Sequence, residues 1–557
     1  MIWYHIKNYI CLPVVMFLLI CCNNDSFAQL FNEEWVNKWS QPLHTGSDKA
    51  FDLTIDKNGN VYVTGSTNHP AEQLNYITIK YSPDGEEQWA VQYNGIDNNT
   101  DVASAITTDD EGNVYVTGRS NIFENGLMQS DYLTIKYNPG GEEEWISRYS
   151  GPVNSDGASD IAVDKQGNVY VTGSSIGVDT DSDILTVKYN SEGIEQWAAR
   201  YAPLEHGNDE SRCVEVDING NVYVSGLSKQ DSVSGWDLAI IKYNTDGDQQ
   251  WVSVYSTNGN DEPYDMVLDD SGNVYVTGES SVFATGRDYI TIKYNTNGEE
   301  QWASRFTGLN TTQSERAHAI AVDKQNNVYV TGQSYGGTAG GLLDIATVKY
   351  NSIGSEEWVA RYNYVDAGLD TGEDIVVDDE GNVYVGGNSL NENNNYDYVL
   401  LKYNTDGVEQ WAARYNGTAD QDDDLEAIGI DSKNNIYITG GARETGTSED
   451  VVTIKYSQTS TNVNEEEKSI SDFKLLQNYP NPFNPATCIE YRVVSSEYVT
   501  LKIYDVLGNE IEVLVNEEKP AGIYEVNFDA SGLTSGIYYY RFQAGSFSET
   551  KKMMLIK

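Results

Sequence analysis

The string Asn-Val-Tyr-Val-Thr-Gly, or a close variant, occurs eight times in this chain: at Asn60–Gly65, Asn113–Gly118, Asn168–Gly173, Asn221–Gly226, Asn273–Gly278, Asn327–Gly332, Asn382–Gly387 and Asn435–Gly440. Each copy has an aspartate four residues before its Asn (Asp56, Asp109, Asp164, Asp217, Asp269, Asp323, Asp378 and Asp431), and successive aspartates lie 53, 55, 53, 52, 54, 55 and 53 residues apart. Self-similarity at such a period means one supersecondary unit per repeat. Such a unit cannot bury its apolar side alone, so it stacks on its neighbours.

The third copy shows how one unit is built. Ser159–Asp164 alternates apolar and polar residues through Ile161 and Val163, and Lys165-Gln166-Gly167 gives a turn. Asn168–Gly173 is a second strand, Asp183–Tyr189 a third and Glu195–Tyr201 a fourth, with Asn190–Gly193 as the turn between the last two. Four short strands joined by Gly- and Asn-bearing turns predict an up-and-down antiparallel sheet. Such sheets repeated radially are the blades of a β-propeller.

Lys-Tyr ends the third strand in all eight copies, from Lys80-Tyr81 to Lys455-Tyr456. A Trp follows in seven of them, at Trp89, Trp145, Trp197, Trp251, Trp302, Trp358 and Trp411. The eighth copy stops after Tyr456. Trp39 lies 17 residues before Asp56, against intervals of 18 to 21 elsewhere, so Glu34–Ser40 is read as the missing fourth strand. Closure of that kind removes exposed sheet edges. The expected fold is all-β, an eight-bladed propeller over 29–456. Its seam joins Glu34–Ser40 to Asp450–Tyr456.

The formal net charge of −50, from 85 acidic against 35 Lys and Arg residues, excludes nucleic acid and anionic membranes as partners, because both need a basic footprint. Residues 1–28 read as a signal peptide. Lys7 is basic, Ile10–Cys22 is apolar, and Ser26-Phe27-Ala28 places small residues for cleavage between Ala28 and Gln29. The apolar run is too short for a membrane span, so none is expected in the mature chain. A lipoprotein signal at Leu18–Cys21 is the alternative, weakened by Ile20 before the Cys. Only Cys213 and Cys488 lie beyond the leader, so no disulfide framework is expected.

On these residues the repeat resembles the bacterial β-propeller repeats of the SBBP type, whose core reads like AIAVDxxGNVYVTG. That resemblance implies a secreted or surface propeller and no particular activity. The family is usually seven-bladed, and the eight copies depart from it. The YNTDGEEQW-like hairpins are also similar to the tryptophan-docking turns of eight-bladed quinoprotein dehydrogenases. The vicinal cysteines those enzymes use at the quinone occur here only as Cys21-Cys22, inside the leader.

After Tyr456 the composition shifts. Residues 457–472 read as a Ser-, Thr-, Asn- and Glu-rich linker. Residues 473–557 carry six short alternating strands, at Thr487–Val493, Tyr498–Tyr504, Glu510–Asn516, Gly522–Phe528, Gly536–Ala544 and Phe547–Ile556, and predict a small Ig-like β-sandwich. Asn478–Thr487 (NYPNPFNPAT), Leu501–Ile511, Ala521–Gly545 and Phe547–Lys557 resemble the C-terminal sorting domain of the type IX secretion system. The resemblance implies export across an outer membrane, the type IX machinery as a partner, and a chain released or held at the cell surface.

Candidate chemistry is sparse. Four His lie beyond the leader (His44, His69, His206 and His318). None sits in a metal motif, and there is no nucleophile elbow. The turn aspartates read as caps on backbone N–H groups, with Asn326 and Asn434 replacing Gly in the left-handed position. The residue before each third strand is Asp131, Asp183, Asp237, Asp288, Asp344, Asp397 or Asp450, with Asn75 in the first copy. Its expected role is structural: side-chain bonds to a neighbouring loop, or pairing with a blade lysine or with Arg148, Arg200, Arg305, Arg361 or Arg414.

One position alternates. The residue four before each turn aspartate is Asp52, Ala105, Asp160, Cys213, Asp265, Ala319, Asp374 and Ala427. Asp52, Asp160, Asp265 and Asp374 are therefore the candidate channel site, in one of two roles. They form a fourfold ring able to hold a hard cation, calcium being the candidate. Otherwise each bonds the next blade's backbone, and the eight copies are four pairs. No other cofactor is expected.

Variable loops between second and third strands, with Trp236 and Gly336–Gly341, offer a binding surface. The functional expectation is a non-catalytic scaffold for a glycan or protein ligand, as a monomer. The alternative is a polysaccharide- or peptide-active hydrolase or lyase at the channel mouth.

Overall fold

The computed structural model describes residues 31–458 and 473–555 apart from short stretches, the longest of them 337–341. Residues 1–30, with the expected cleavage point at Ala28 and Gln29, most of the expected linker (459–472), His44, His69, His206 and most of the Gly336–Gly341 loop lie outside the described residues. Every regular element among the described residues is a strand. The chain divides between Ser460 and Thr461 into two compact units.

The first unit contains eight four-stranded antiparallel sheets, called blades one to eight here. Blade one runs Asp48–Ile55, Val61–Asn68, Leu74–Tyr81 and Glu87–Tyr93, paired in that order. The later inner strands are Asp101–Thr108, Asp156–Val163, Glu210–Val216, Asp261–Leu268, Arg316–Val322, Asp370–Val377 and Asp424–Ile430. Each touches the next, and the last touches Asp48–Ile55, so the ring is closed.

Blade eight is completed by the N-terminal strand Phe31–Trp39, which pairs with Asp450–Gln458. The seam lies where the sequence puts it, with one correction. Trp35, not Trp39, stands opposite Lys455. In the other blades the Lys of the Lys-Tyr pair faces the repeated Trp, as Lys80 faces Trp89 and Lys188 faces Trp197. Trp35 lies 21 residues before Asp56, inside the range of the other copies. Trp39 stands where Tyr93 stands in blade one. Two tryptophans four apart share the strand, and spacing alone picked the wrong one.

The core lies between blades. Val61, Tyr62 and Val63 are each 1% exposed or less, because a sheet stacked between two others buries both faces. Ala50, Leu53, Val61, Val63, Ile77 and Ile79 of blade one pack with Ala427, Tyr437 and Val451 of blade eight.

The second unit pairs a three-stranded sheet (Lys474–Leu475, Ala486–Val493 and Gly522–Asp529) with a four-stranded one ordered Glu510–Lys519, Glu497–Tyr504, Gly536–Ala544 and Phe547–Leu555. Strict alternation puts Val499, Leu501 and Ile503 inward, against Ile489, Tyr491, Tyr540 and Phe542. This is the expected Ig-like sandwich.

Candidate functional site

Antiparallel pairing gives each blade two ends. At one, the hairpins joining first to second and third to fourth strands form a turn rim. At the other lie the start of the inner strand, the end of the second and the start of the third, as Asp48 opposite Thr67 and Asn68 opposite Leu74 show. The variable loops leave from this second end.

The turn rim is uniform. Asp56 Oδ1 accepts from the backbone N–H groups of Asn58 and Asn60, and Oδ2 from the Asn60 amide and the Tyr62 hydroxyl. The same set recurs to Asp431, and Asn326 and Asn434 take φ of 63° and 60°. The turn aspartates are caps. Each repeated Trp except Trp411 docks on the next blade's hairpin: Trp145 Nε1 donates to the Ser191 carbonyl at 3.1 Å and Trp358 Nε1 to Thr405 at 3.0 Å. Lys188 and Trp197 share the Thr245 carbonyl, at 3.0 and 3.1 Å. Lys188 also lies 5.2 Å from the centre of the Tyr170 ring, so the recurring Lys, Tyr and Trp form one inter-blade joint. A Cβ on Gly354, at φ +80°, would fall 2.5 Å from the Trp302 ring, so glycine is required there.

Toward the other end, five of the eight residues before the third strands take the arginine option: Arg148–Asp131 at 3.0 Å, Arg200–Asp183 at 2.8 Å, Arg305–Asp288 at 3.0 Å, Arg361–Asp344 at 3.8 Å and Arg414–Asp397 at 3.0 Å. One recurring acid escaped the sequence reading. Asp48, Asp101, Asp156, Asp209, Asp261, Glu315, Asp370 and Asp423 are all buried at the inner-strand start, eight residues before each turn aspartate. Asp101, Asp156 and Asp423 each accept a backbone N–H from a glycine at 2.6 Å.

All eight inner strands are bulged two residues further on, as between Ala50 and Asp52. A bulge leaves backbone groups outside the ladder and re-aims a side chain. The four alternating aspartates take up those groups. Asp52 accepts the N–H of Leu53 at 2.7 Å and that of Ile106, on the next blade, at 2.8 Å. Asp160 serves Ile161 and Val214, Asp265 serves Met266 and Ile320, and Asp374 serves Ile375 and Ile428. Four carboxylates thus satisfy eight bulge N–H groups, each tying one blade to the next, so the ring is four stapled pairs.

Burial raises these carboxyls, against the pull of their N–H donors: Asp52 to about 8, Asp374 to about 7, and Asp160 and Asp265 to about 6. Asp52 also feels the charges of Asp160 and Asp374, so the four share one space. Burial, with Asp160 and Asp265 beside it, carries Glu215 to about 8. No group of three or more His, Cys, Asp or Glu among the described residues is placed to hold a metal ion.

The bulged residues themselves are Phe51, Ser104, Ser159, Arg212, Tyr264, His318, Glu373 and Glu426, and sequence reasoning did not single out the position. Within this bulge arc, four side chains are connected in series. The Arg212 guanidinium lies 5.9 Å from the centre of the Tyr264 ring, Tyr264 lies 6.0 Å from the His318 ring, and His318 Nδ1 is 2.9 Å from Glu373 Oε2. Thr371 donates to Glu373 at 2.6 Å. Glu426 pairs with Lys49 at 2.5 Å, and Lys49 also reaches Asp424 at 3.1 Å. The signal was available in outline: the residue beside the alternating aspartate and the one two places before it (Lys49, Val102, Gly157, Glu210, Glu262, Arg316, Thr371 and Asp424) are the two inner-strand positions on which the repeats disagree most.

Comparison with known proteins fits this architecture. Residues 44–70, 88–124, 144–184, 250–283 and 357–395 match the family described as Beta-propeller repeat, and 477–557 match the Secretion system C-terminal sorting domain. A sorting domain of this kind directs secretion, with attachment to the cell surface or release. The Caulobacter vibrioides Regulatory protein FlaEY is 30% identical over 169 residues, 26% of this chain and 17% of that protein. An uncharacterized WD repeat-containing protein, L264 of Acanthamoeba polyphaga mimivirus, is 23% identical over 399 residues, 52% of this chain and 28% of its own length. The chain therefore spans less than a third of either curated relative. Among solved structures, PorZ, a surface component of the type IX secretion system of Porphyromonas gingivalis, aligns over 91% of this chain and 74% of its own at 15% identity, with a TM-score of 0.36.

Proposed function

We propose that this chain of β-propeller repeats with a secretion-system C-terminal sorting domain is a non-catalytic binding scaffold, working as a single chain outside the cell. Its export starts with cleavage between Ala28 and Gln29 and is completed by the type IX machinery, which engages the sorting domain. The ligand, a glycan or a protein, sits on the variable-loop end at the channel mouth.

The observation that carries this reading is the bulge arc. Positions that serve the fold recur in the repeats, whereas the bulge carries Phe, Ser, Ser, Arg, Tyr, His, Glu and Glu in turn. Side chains that differ from blade to blade at a solvent-reaching ring are what a single asymmetric ligand needs.

A second reading has one specific observation behind it. The His318–Glu373 pair at 2.9 Å is a side-chain arrangement able to move a proton, as a hydrolase or lyase requires. The test is a glycan and protein-partner screen on the full chain, with and without calcium, run beside His318→Ala. Capture of a ligand without turnover is expected. Turnover of a polysaccharide or peptide that His318→Ala abolishes would replace the scaffold with the enzyme.

A further inference from the structure

The arc has two properties that narrow its ligand. The first is local charge balance. Lys49 is held by Asp424 and Glu426, and His318 by Glu373. Arg316, whose guanidinium lies 5.4 Å from the centre of the Tyr264 ring, is held by Glu279 at 2.9 Å. Donors and acceptors thus alternate around the mouth with their charges already paired. Such a surface suits groups that donate and accept together, which hydroxyls do, better than a simple ion of either sign.

The second property is an incomplete side. Arg212 Nε is a buried donor with no hydrogen-bond partner, and the nearest carboxylate, Glu210, is 3.7 Å from the other end of the guanidinium. Beside it, the inner strands of blades two and three carry Val102, Ser104, Gly157 and Ser159, and the exposed Arg119 of blade two lies next to Gly157. A Cβ added at half-buried Gly157 would meet nothing nearer than 3.8 Å, so there is room. Phe51, on the blade opposite Tyr264 in an eight-membered ring, is half-buried and offers an apolar surface for C–H groups. The chain's net charge of −50 repels polyanions at long range and leaves an uncharged ligand unaffected.

We propose that the channel mouth on the variable-loop end binds a neutral oligosaccharide, seated in the room beside Gly157, hydrogen-bonded by Arg212 and the His318–Glu373 pair, and stacked on Phe51. This rests on the scaffold reading and names its ligand class. The experiment is a glycan array followed by titration calorimetry on the full chain, using neutral, uronate-bearing and sulfated oligosaccharides, with Arg212→Ala, Phe51→Ala and Gly157→Val. Lys57→Ala on the turn rim is the control, and Tm checks that each variant folds.

The expected result is binding of a neutral oligosaccharide, unchanged between low and high salt. Arg212→Ala and Phe51→Ala each weaken it at least about tenfold, Gly157→Val blocks it, and the control leaves it unchanged. Binding confined to charged glycans, or neutral binding indifferent to all three arc variants, overturns the proposal. If the array is blank but the full chain captures a surface protein that Arg212→Ala releases, the saccharide falls and the scaffold stands. If no ligand of any class depends on the arc, both fall.

Discussion

At the turn rim, seven tryptophans do one thing seven times: each indole rests on the next blade's hairpin and donates to a carbonyl there at 3.0 to 3.3 Å. A few residues away along the same repeats, the bulge ring carries six residue types in eight copies. Both places sit on identical backbone geometry, so the difference lies in what each position must satisfy. A turn-rim side chain completes a joint that every blade needs. A bulged side chain is relieved of that duty, because its ladder defect is already satisfied by the alternating aspartates. The eighth tryptophan shows the limit of the rule. Trp411 has no hairpin to dock on, because the chain leaves blade eight there. Phe31 lies 4.6 Å from it, and its Nε1 has no partner among the described residues.

The comparison is broken most directly at the rim. Gly354→Val places a branched side chain at φ +80° and drives it into the Trp302 ring. The left-handed backbone costs about 1–2 kcal/mol and the overpacking about 1–3 kcal/mol. A loss of about 2–5 kcal/mol in urea unfolding is expected. A loss under about 1 kcal/mol would mean the Trp–hairpin joint is not what holds neighbouring blades together.

Next in size is the staple. Asp160→Ala removes the acceptor of both the Ile161 and Val214 N–H groups. Each orphaned donor costs about 1–3 kcal/mol where buried, and channel water recovers part, so about 2–4 kcal/mol is expected. Ala105→Ser, at the partner position that carries no staple, is expected to leave stability unchanged. Equal effects at the two positions would dissolve the four pairs into eight equivalent blades.

The same carboxylates set a pH dependence. Asp52, Asp374 and Glu215 have folded-state values of about 8, 7 and 8, above the usual carboxylate range near 4. Between those limits the folded chain holds more protons than the unfolded one, so stability falls as pH rises from about 4 to about 8. Calorimetric Tm is expected to be higher at pH 5 than at pH 8, and Asp52→Asn with Glu215→Gln to flatten the slope. A Tm that rises over that interval would show the channel acids ionised and unstrained.

How much of this the sequence disclosed follows from the same contrast. The blade count, the strand order, the closing strand and the turn caps were legible because each recurs at a fixed offset, and the structural role of the acid before the third strand was legible for the same reason. The four aspartates were legible as alternating residues, and a bond to the next blade's backbone was one of their two expected roles. The choice between the roles was not legible, since Ile106 and Val214 contribute backbone N–H groups that carry no side-chain signature. The bulges hid in the pattern: in blade three the alternation through Ile161 and Val163 is a slipped continuation of Ala158, and the inner strand starts at Asp156 rather than Ser159. The bulge arc was invisible for the opposite reason. A search for agreement among repeats passes over the position where they differ.

The smallest expected effect on stability is therefore the most informative about function. Glu373→Gln keeps the shape of the side chain and its bond from Thr371, and it removes only the charge that faces His318. Burial opposes the Glu373 charge, but the His318, Thr371 and Asn388 contacts outweigh it and hold the carboxyl below its ordinary value. The variant loses one partly exposed pair, worth about 0.2–1 kcal/mol, and unfolding should move by no more than that. Ligand capture should fall far more, because the arc positions its donors through that pair. A large stability loss with capture intact would place Glu373 among the structural acids and return the bulge ring to the fold.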